Sequence, residues 1–415
     1  MKRIVSLLAL CVGIQFCAQA AEPITLGMNY PRTGTYKEEG LDQMRGALLA
    51  VEEINARGGV LGRPLRISSY NSASRVEKAI ENVDKLATEG AAMIFGGASS
   101  AVAIAGGKRA REHGLLYFGT LTYSNDTTGK DGHRYMFRES NNAWMSARVL
   151  GAYLNEHFPR RNYFYITSDY TWGHTSESSL RHVTGTKDTE RHPGVRTPFP
   201  DARMADYRQA LEAAAESDAQ VLVLVLFGND LVRAMRLADD MGLTRRMQVA
   251  VPNLTKNMVE QAGPVIMQGV LGTEPWTWRV PELEGSERGV AFVEAYGNRY
   301  QTHPSSSAAS AYSIVHQWSE AVIRANSMKS EAVIRALEDH RYSLLKDEQQ
   351  WRAFDHQNLQ TVYAVRVKSR LEVLEDRFNQ DYFEIVHRLG AEQAAQNHAD
   401  WQAERVAAGQ PPTLH

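Results

Sequence analysis

The chain has only two cysteines in 415 residues, Cys11 and Cys17, and both fall within its first twenty positions. Beyond that segment no thiol is left for a disulfide, a Cys-ligated zinc or a covalent nucleophile. Net charge is equally scarce: 46 basic against 48 acidic residues give −2, and loss of Lys2 and Arg3 makes it −4. A balance this close to zero supplies no electrostatic footprint for nucleic acid or an anionic membrane. There is no His-Glu-x-x-His, no EF-hand spacing and no Cys pair, so neither a metal nor a cofactor is expected. Fixed-period repeats are missing, and no apolar run reaches the roughly eighteen residues of a spanning helix. What is present is 43% hydrophobic and 23% charged residues. That is the make-up of a globular chain with a real core, and the length suits two domains.

Residues 1–20 have the form of an export signal. Met1-Lys2-Arg3 is a basic start, residues 4–16 are mostly apolar, and Ala18-Gln19-Ala20 puts small residues where a signal peptidase cuts. The apolar part is too short to span a bilayer, which takes about 20 residues. Leu10 and Phe16 precede the two cysteines, where acylation of a lipoprotein needs a small residue. The expectation is a soluble periplasmic protein, stable without disulfides.

From residue 24 onward, β-prone and amphipathic stretches alternate. Ile24-Thr25-Leu26-Gly27 is followed by a stripe of Leu41, Met44, Leu48, Val51 and Ile54 at helical spacing, which stops at Arg57-Gly58-Gly59. A strand is expected at 65–70, a helix through Val76, Ile80, Val83 and Leu86, a strand at 92–95, a helix at 101–113 and a strand at 115–118. A second block repeats the scheme: helix 143–157, strand 163–167, a helix from about 175, helix 205–214, strand 220–226, helix 230–241 and strand 247–251. Its clearest member is Gln220-Val221-Leu222-Val223-Leu224-Val225-Leu226, apolar enough to be buried on both faces. Helices at 289–300, 306–325 and 330–337 and strands at 269–273 and 361–367 follow. The Ala/Gln-rich tail beyond Leu389 is expected to be helical, either docked or frayed. Parallel sheets covered by helices make this an α/β chain of two Rossmann-like doubly wound lobes. Ligands of such sheets sit where the strands' carboxyl ends open onto a crevice.

Four runs carry a resemblance to a known family. They are Ile24-Thr25-Leu26-Gly27 with Pro31-Arg32-Thr33-Gly34, the stretch Gly46-Ala-Leu-Leu-Ala-Val-Glu-Glu-Ile-Asn-Ala-Arg-Gly-Gly-Val-Leu-Gly62-Arg-Pro-Leu65, Asp169-Tyr-Thr-Trp-Gly173, and Asp355-His-Gln357. Over about residues 24–370 the chain resembles the type I periplasmic binding proteins, in the branch of the branched-chain amino acid, amide and urea receptors. The resemblance implies two lobes joined by a three-strand hinge: 21–138 with 274–343, and 139–273 with 344–375, leaving 376–415 as a helical extension. It also implies a monomer that captures a small organic ligand by hinge closure, with no chemistry on it, and delivers it to an ABC-type inner-membrane permease. A receptor that reports its ligand to a sensor kinase has the same requirements and stays open as an alternative.

Candidate contacts follow from the loops. Ser99 and Ser100, in Gly96-Gly97-Ala98-Ser99-Ser100, stand between a strand and a helix. They either cap that helix or join its free N–H groups in seating a carboxylate or carbonyl oxygen. The family equivalents of these serines hold a ligand carboxylate. Leu121 and Thr122 match a family loop that offers a carbonyl and a hydroxyl. Trp172 sits where the family places an aromatic residue before Gly173, as a cleft wall or a structural tryptophan, with Tyr170 a further candidate in the same run; as a wall, Trp172→Ala is expected to weaken binding without unfolding the protein. Phe227 falls near a ligand-touching tyrosine, and Tyr36 lies in the first loop. Trp276 and Trp278 either line the cleft or pack under a crossover. Where amino-acid receptors carry an acid for the α-ammonium, this chain has Pro252-Asn253-Leu254. Asn253 cannot neutralise a buried ammonium, which argues against a standard α-amino acid. Asp230 is either its substitute or a helix cap. An amide, a carboxylate or an aromatic compound fits the cleft better.

The enzyme alternative is a serine hydrolase built on Gly97-Ala98-Ser99-Ser100-Ala101, but Ala101 stands where a nucleophile elbow has glycine. His182 and His192 lie in a polar stretch and suit no metal. Gly58-Gly59-Val60-Leu61-Gly62 follows a helix rather than a strand, so a dinucleotide loop fails on context.

Overall fold

The strand Ile24–Tyr30 (β1) is buried at every position, as a strand covered by helices on both faces must be. The computed structural model describes residues 21–415, and the expected export segment, 1–20, lies outside the described residues. With β1, the strands Leu65–Asn71 (β2), Met93–Gly97 (β3), Tyr117–Thr120 (β4) and Met136–Arg138 (β5) form a parallel sheet of order β2-β1-β3-β4-β5. Helices Lys37–Ala56 (α1), Val76–Thr88 (α2) and Ser100–Glu112 (α3) connect the first four.

The second sheet takes Tyr163–Ser168 (β6), Gly194–Thr197 (β7), Val221–Val225 (β8), Gln248–Val251 (β9) and Leu271–Glu274 (β10). Its intervening helices are Ala143–His157 (α4) before β6, then Thr171–Thr184 (α5), Met204–Glu216 (α6) and Asn229–Asp240 (α7). The chain next builds the helices Glu287–Tyr300, Ser306–Ala325 and Ser330–Leu337, then a small antiparallel sheet of Arg341–Tyr342 (β11), Gln349–Trp351 (β12) and Asn358–Leu359 (β13). It returns to the second sheet as Val362–Val367 (β14) and Phe383–Leu389 (β15), giving the order β15-β14-β10-β9-β8-β6-β7. No helix of the described residues is long and apolar enough to cross a membrane.

Three features differ from the sequence expectation. Leu41 is exposed and Leu48 half-buried, because α1 is covered on a broader face that includes Glu39, Asp42 and Gln43. Neighbours satisfy Glu39 and Asp42, the Tyr296 hydroxyl, for one, donating to Asp42 at 3.0 Å, whereas both amide atoms of Gln43 are buried without a hydrogen-bond partner. Second, the stretch 344–360 does not join the second lobe. Strands β12 and β13 pair with β11, and Trp351 packs edge-on against Phe118 and Phe137 of the first sheet. Third, the extension 376–415 is not wholly helical, since β15 pairs antiparallel with β14.

Beyond Leu389 the expected helices form, at Ala391–Ala394 and His398–Ala407. The second docks on the first lobe, where Trp401 Nε1 donates to Thr128 O at 2.9 Å and Arg405 to Gly132 O at 3.1 Å. The tail therefore touches both lobes.

Candidate functional site

Strand order reverses beside β1 and β3 in one sheet and beside β6 and β8 in the other, and loops leaving such reversals open a crevice. The loop after β1 carries Tyr36, and the turn after β3 carries Ser99 and Ser100. The loop after β4 carries Leu121, Thr122 and Tyr123. From the other side come Tyr170 and Trp172 after β6, Phe199 after β7 and Phe227 after β8.

The two groups meet. The hydroxyls of Tyr36 and Tyr170 lie 2.9 Å apart. The Tyr36 ring touches Phe227 edge-on at 5.2 Å and Phe199 at 5.7 Å, and Phe199 stacks on Tyr170 at 3.9 Å. Trp172 and Tyr123 each reach Phe227, at 5.9 and 5.8 Å. This approach needs a glycine at 228. There φ is +59°, and a Cβ would lie 2.6 Å from the Tyr36 ring. Polar contacts flank the rings: Ser124 and Thr171 share a hydrogen bond of 2.8 Å, and Asn125 Nδ2 donates to Ser179 at 3.0 Å.

The first-lobe loops are held under strain. Ala98 and Leu121 both take positive φ, 64° and 49°, a conformation that costs a non-glycine residue energy and clusters at ligand clamps. Gly97 lets them close up, since a Cβ there would meet Thr122 Cγ2 at 2.9 Å. Ser99 stands at the cap position of α3, but its side chain makes no cap bond. Its Oγ is buried without a partner, as are Thr122 Oγ1 and the Tyr123 hydroxyl. Ser100 is used internally, accepting from Ser124 N at 3.0 Å.

Beneath these loops lies Arg138, fully buried at the end of β5. It donates to Gln357 Oε1 at 2.6 Å, Thr122 O at 3.2 Å, Thr128 Oγ1 at 2.7 Å and also Ser124 O. One guanidinium thus ties the loop after β4 to the returning crossover at Gln357. Burial lowers its pKa to about 9, still charged at neutral pH.

Two expected contacts are spent elsewhere. Asn253 accepts from Trp172 Nε1 at 3.1 Å and donates to Ser146 at 3.0 Å, so its amide positions the tryptophan. Trp276 donates to Leu345 O at 3.2 Å and packs on Phe292, while Trp278 stacks on His303. Both take the packing alternative, away from the aromatic group. Asp230 is not a cap; Gly228 holds that position of α7.

Phe199, and the burial of Glu274, are missed by sequence reasoning. Phe199 sits between prolines with no periodicity around it, and nothing local marks an acid at a strand end as buried. Burial raises Asp230 to about 6 and Glu39 to about 7, and it raises Glu274 well above the ordinary carboxylate range. Among the described residues no group of three or more His, Cys, Asp or Glu side chains is placed to hold a metal ion.

Known proteins share this architecture. The family described as periplasmic binding protein matches residues 23–372. A Leu/Ile/Val-binding protein homolog of Brucella abortus is 24% identical over 307 residues, 71% of this chain and 72% of its own. The crystal structure of a periplasmic binding protein from Burkholderia mallei superposes with a TM-score of 0.81 at 23% identity, covering 91% of this chain and 97% of that one. A solute binding protein of an ABC transporter from Rhodopseudomonas palustris, in complex with 3,4-dihydroxybenzoic acid, gives 0.76 at 15% identity, covering 89% and 98%.

Proposed function

The chain belongs to the periplasmic binding protein family, and from that premise we propose that it captures a small organic solute between its lobes and hands it, unaltered, to an ABC-type importer. The lobes in this reading are 21–138 with 275–360 and 139–274 with 361–389, hinged where the chain crosses three times. The observation that carries it is the Tyr36–Tyr170 hydroxyl pair, which closes the carboxyl ends of two separate sheets on each other. Behind it stand the unpartnered hydroxyls of Ser99, Thr122 and Tyr123. Buried polar groups of this kind are ordinarily satisfied, and a ligand held in the cleft satisfies them. Tyr36, Ser99, Leu121, Thr122, Tyr170, Trp172 and Phe227 are the contacts in this reading. Export to the periplasm by cleavage after Ala20 belongs to it as well.

The hydrolase alternative has less support. Among the described residues no histidine bonds to Ser99 or Ser100, and Ser100 Oγ is already an acceptor.

A thermal-shift screen tests capture. A bound solute is expected to raise the melting temperature by mass action, about 2.7 kcal/mol at a hundredfold excess over Kd, and to be recovered chemically unchanged by mass spectrometry. A product of altered mass, or covalent labelling by a fluorophosphonate, sinks the proposal. Tyr36→Phe removes a bond made only when the lobes meet. It is expected to weaken binding by roughly three- to tenfold, the worth of one hydrogen bond, with no loss of melting temperature in the ligand-free protein.

A further inference from the structure

After its three crossovers the chain passes between the lobes once more, in a segment beyond the residues 23–372 that match the family. Helix Ala391–Ala394 stays with the second lobe. Ala394 is fully buried in a cluster with Met145 and Val149 of α4 and Val362 of β14, and Arg148 Nη2 donates to Gln393 O at 3.2 Å. Helix His398–Ala407 sits on the first lobe. There Trp401 and Arg405 bond the carbonyls of Thr128 and Gly132, Phe354 stacks on His398 at 4.2 Å, and Arg352 Nη1 donates to Gln396 O at 2.8 Å. Arg405 also donates to Pro411 O at 2.7 Å, folding the last residues back so that His415 O accepts from Arg134 N at 3.1 Å.

Between the two helices lie residues 395–397, and they have no slack. Ala395 and Asn397 are extended, with ψ of 152° and 167°, and an extended chain spans at most about 3.6 Å per residue. The first-lobe seat is the loop that also reaches across to the second lobe, through Ser124 to Thr171 and Asn125 to Ser179. Helix His398–Ala407 does not rest on α5 itself. A groove of about 760 Å³ lies between them, lined by Trp144, His174 and His182 on one side and Asp400 and Glu404 on the other. The segment therefore holds the second lobe through 391–394 and the first through 398–415, with a taut joint between.

Parting the lobes on this side either stops where the joint runs out of length or pulls one helix off its seat. We propose that residues 390–415 are a strap that ties the lobes together beside the hinge, limits how far they open and favours the closed arrangement before any solute arrives. This rests on the interlobe-capture reading. A solute that needs closed lobes binds with an affinity proportional to the closed fraction, so the strap strengthens binding without touching the solute.

Residues 21–415 contain no cysteine, so Lys78→Cys and Arg208→Cys in the full mature chain place one spin label on each lobe. Both side chains are exposed, close in sequence to the Arg75–Asp201 ion pair of 2.8 Å that joins the two lobes. Interlobe distances are read by double electron–electron resonance with no solute present. The deciding variant inserts about six Gly/Ser residues between Ala395 and Gln396, a coil spanning roughly 13 Å, which slackens the joint and leaves both seats in place. It is expected to shift the distances to longer values and broaden them, in a chain that stays folded by circular dichroism. Truncation after Leu389 is expected to act in the same direction; where it fails to fold, the insertion still decides. Distances in the insertion variant equal to the parent's, or shorter, overturn the strap. Tyr36→Ala, which loosens the cleft itself, tells the two failures apart. Longer distances in that variant alone leave capture standing, whereas distances that no variant moves overturn hinge capture and the strap together.

Discussion

Arg138→Ala is expected to destabilise the protein by about 4 kcal/mol or more and to loosen the loop after β4 at the same time. The guanidinium is the donor to four groups, Gln357 Oε1, Thr128 Oγ1 and the carbonyls of Thr122 and Ser124. A buried acceptor stripped of its donor costs roughly 1–3 kcal/mol, and water entering the gap offsets part of the total. The effect reaches function because two of the four are carbonyls of the loop that presents Thr122 and Tyr123. Arg138→Lys separates charge from geometry: an ammonium keeps the charge but cannot fork to groups on different sides. It is expected to recover less than half the loss. Urea midpoints and ligand affinity, measured on both variants, check this, and a change below about 1 kcal/mol for alanine would show that the loop holds itself.

Arg138 also marks where sequence reasoning stopped. The doubly wound order was legible because strands buried on both faces leave unmistakable apolar runs, as in Val221–Val225. Loop positions at the switch points followed from that order, but Thr122, Trp172 and Phe227 were singled out only by the family resemblance; the structure gathers Tyr36, Tyr170, Trp172 and Phe227 into one aromatic group. Strand β5 was not legible: three residues long and ending in arginine, it has no pattern of its own. Edge strands β7 and β15 were missed for a related reason, since both are partly exposed and neither forms an apolar run. The helical stripe on α1 was misplaced toward Leu41 because its buried face is partly polar and is satisfied by groups more than two hundred residues away, such as Thr255 and Ser307. Asn253 looked like a ligand contact because sequence shows a side chain's chemistry but not whether a neighbour has already claimed it. The same blindness hid Glu274.

Trp172→Ala is expected to lower stability by about 3–5 kcal/mol, the usual cost of emptying a buried tryptophan site. This corrects the expectation that the change spares folding. Trp172 is 1% exposed, touches Tyr170 and Phe227, and donates its indole N–H to Asn253. The alanine variant therefore leaves a cavity and an amide acceptor without its donor, and weak binding in it cannot be separated from a disturbed fold. Trp172→Phe makes the separation. It keeps an aromatic wall toward Tyr170 and Phe227 and loses the indole bond, a change of about 1 kcal/mol in stability. If Trp172 is a wall of the solute chamber, the phenylalanine variant, still folded at 25 °C, binds with altered affinity while Asn253→Ala, which releases the indole without removing it, weakens binding less. Should Trp172→Phe bind as tightly as the parent chain, the tryptophan is packing alone, and the second-lobe wall reduces to Tyr170, Phe199 and Phe227.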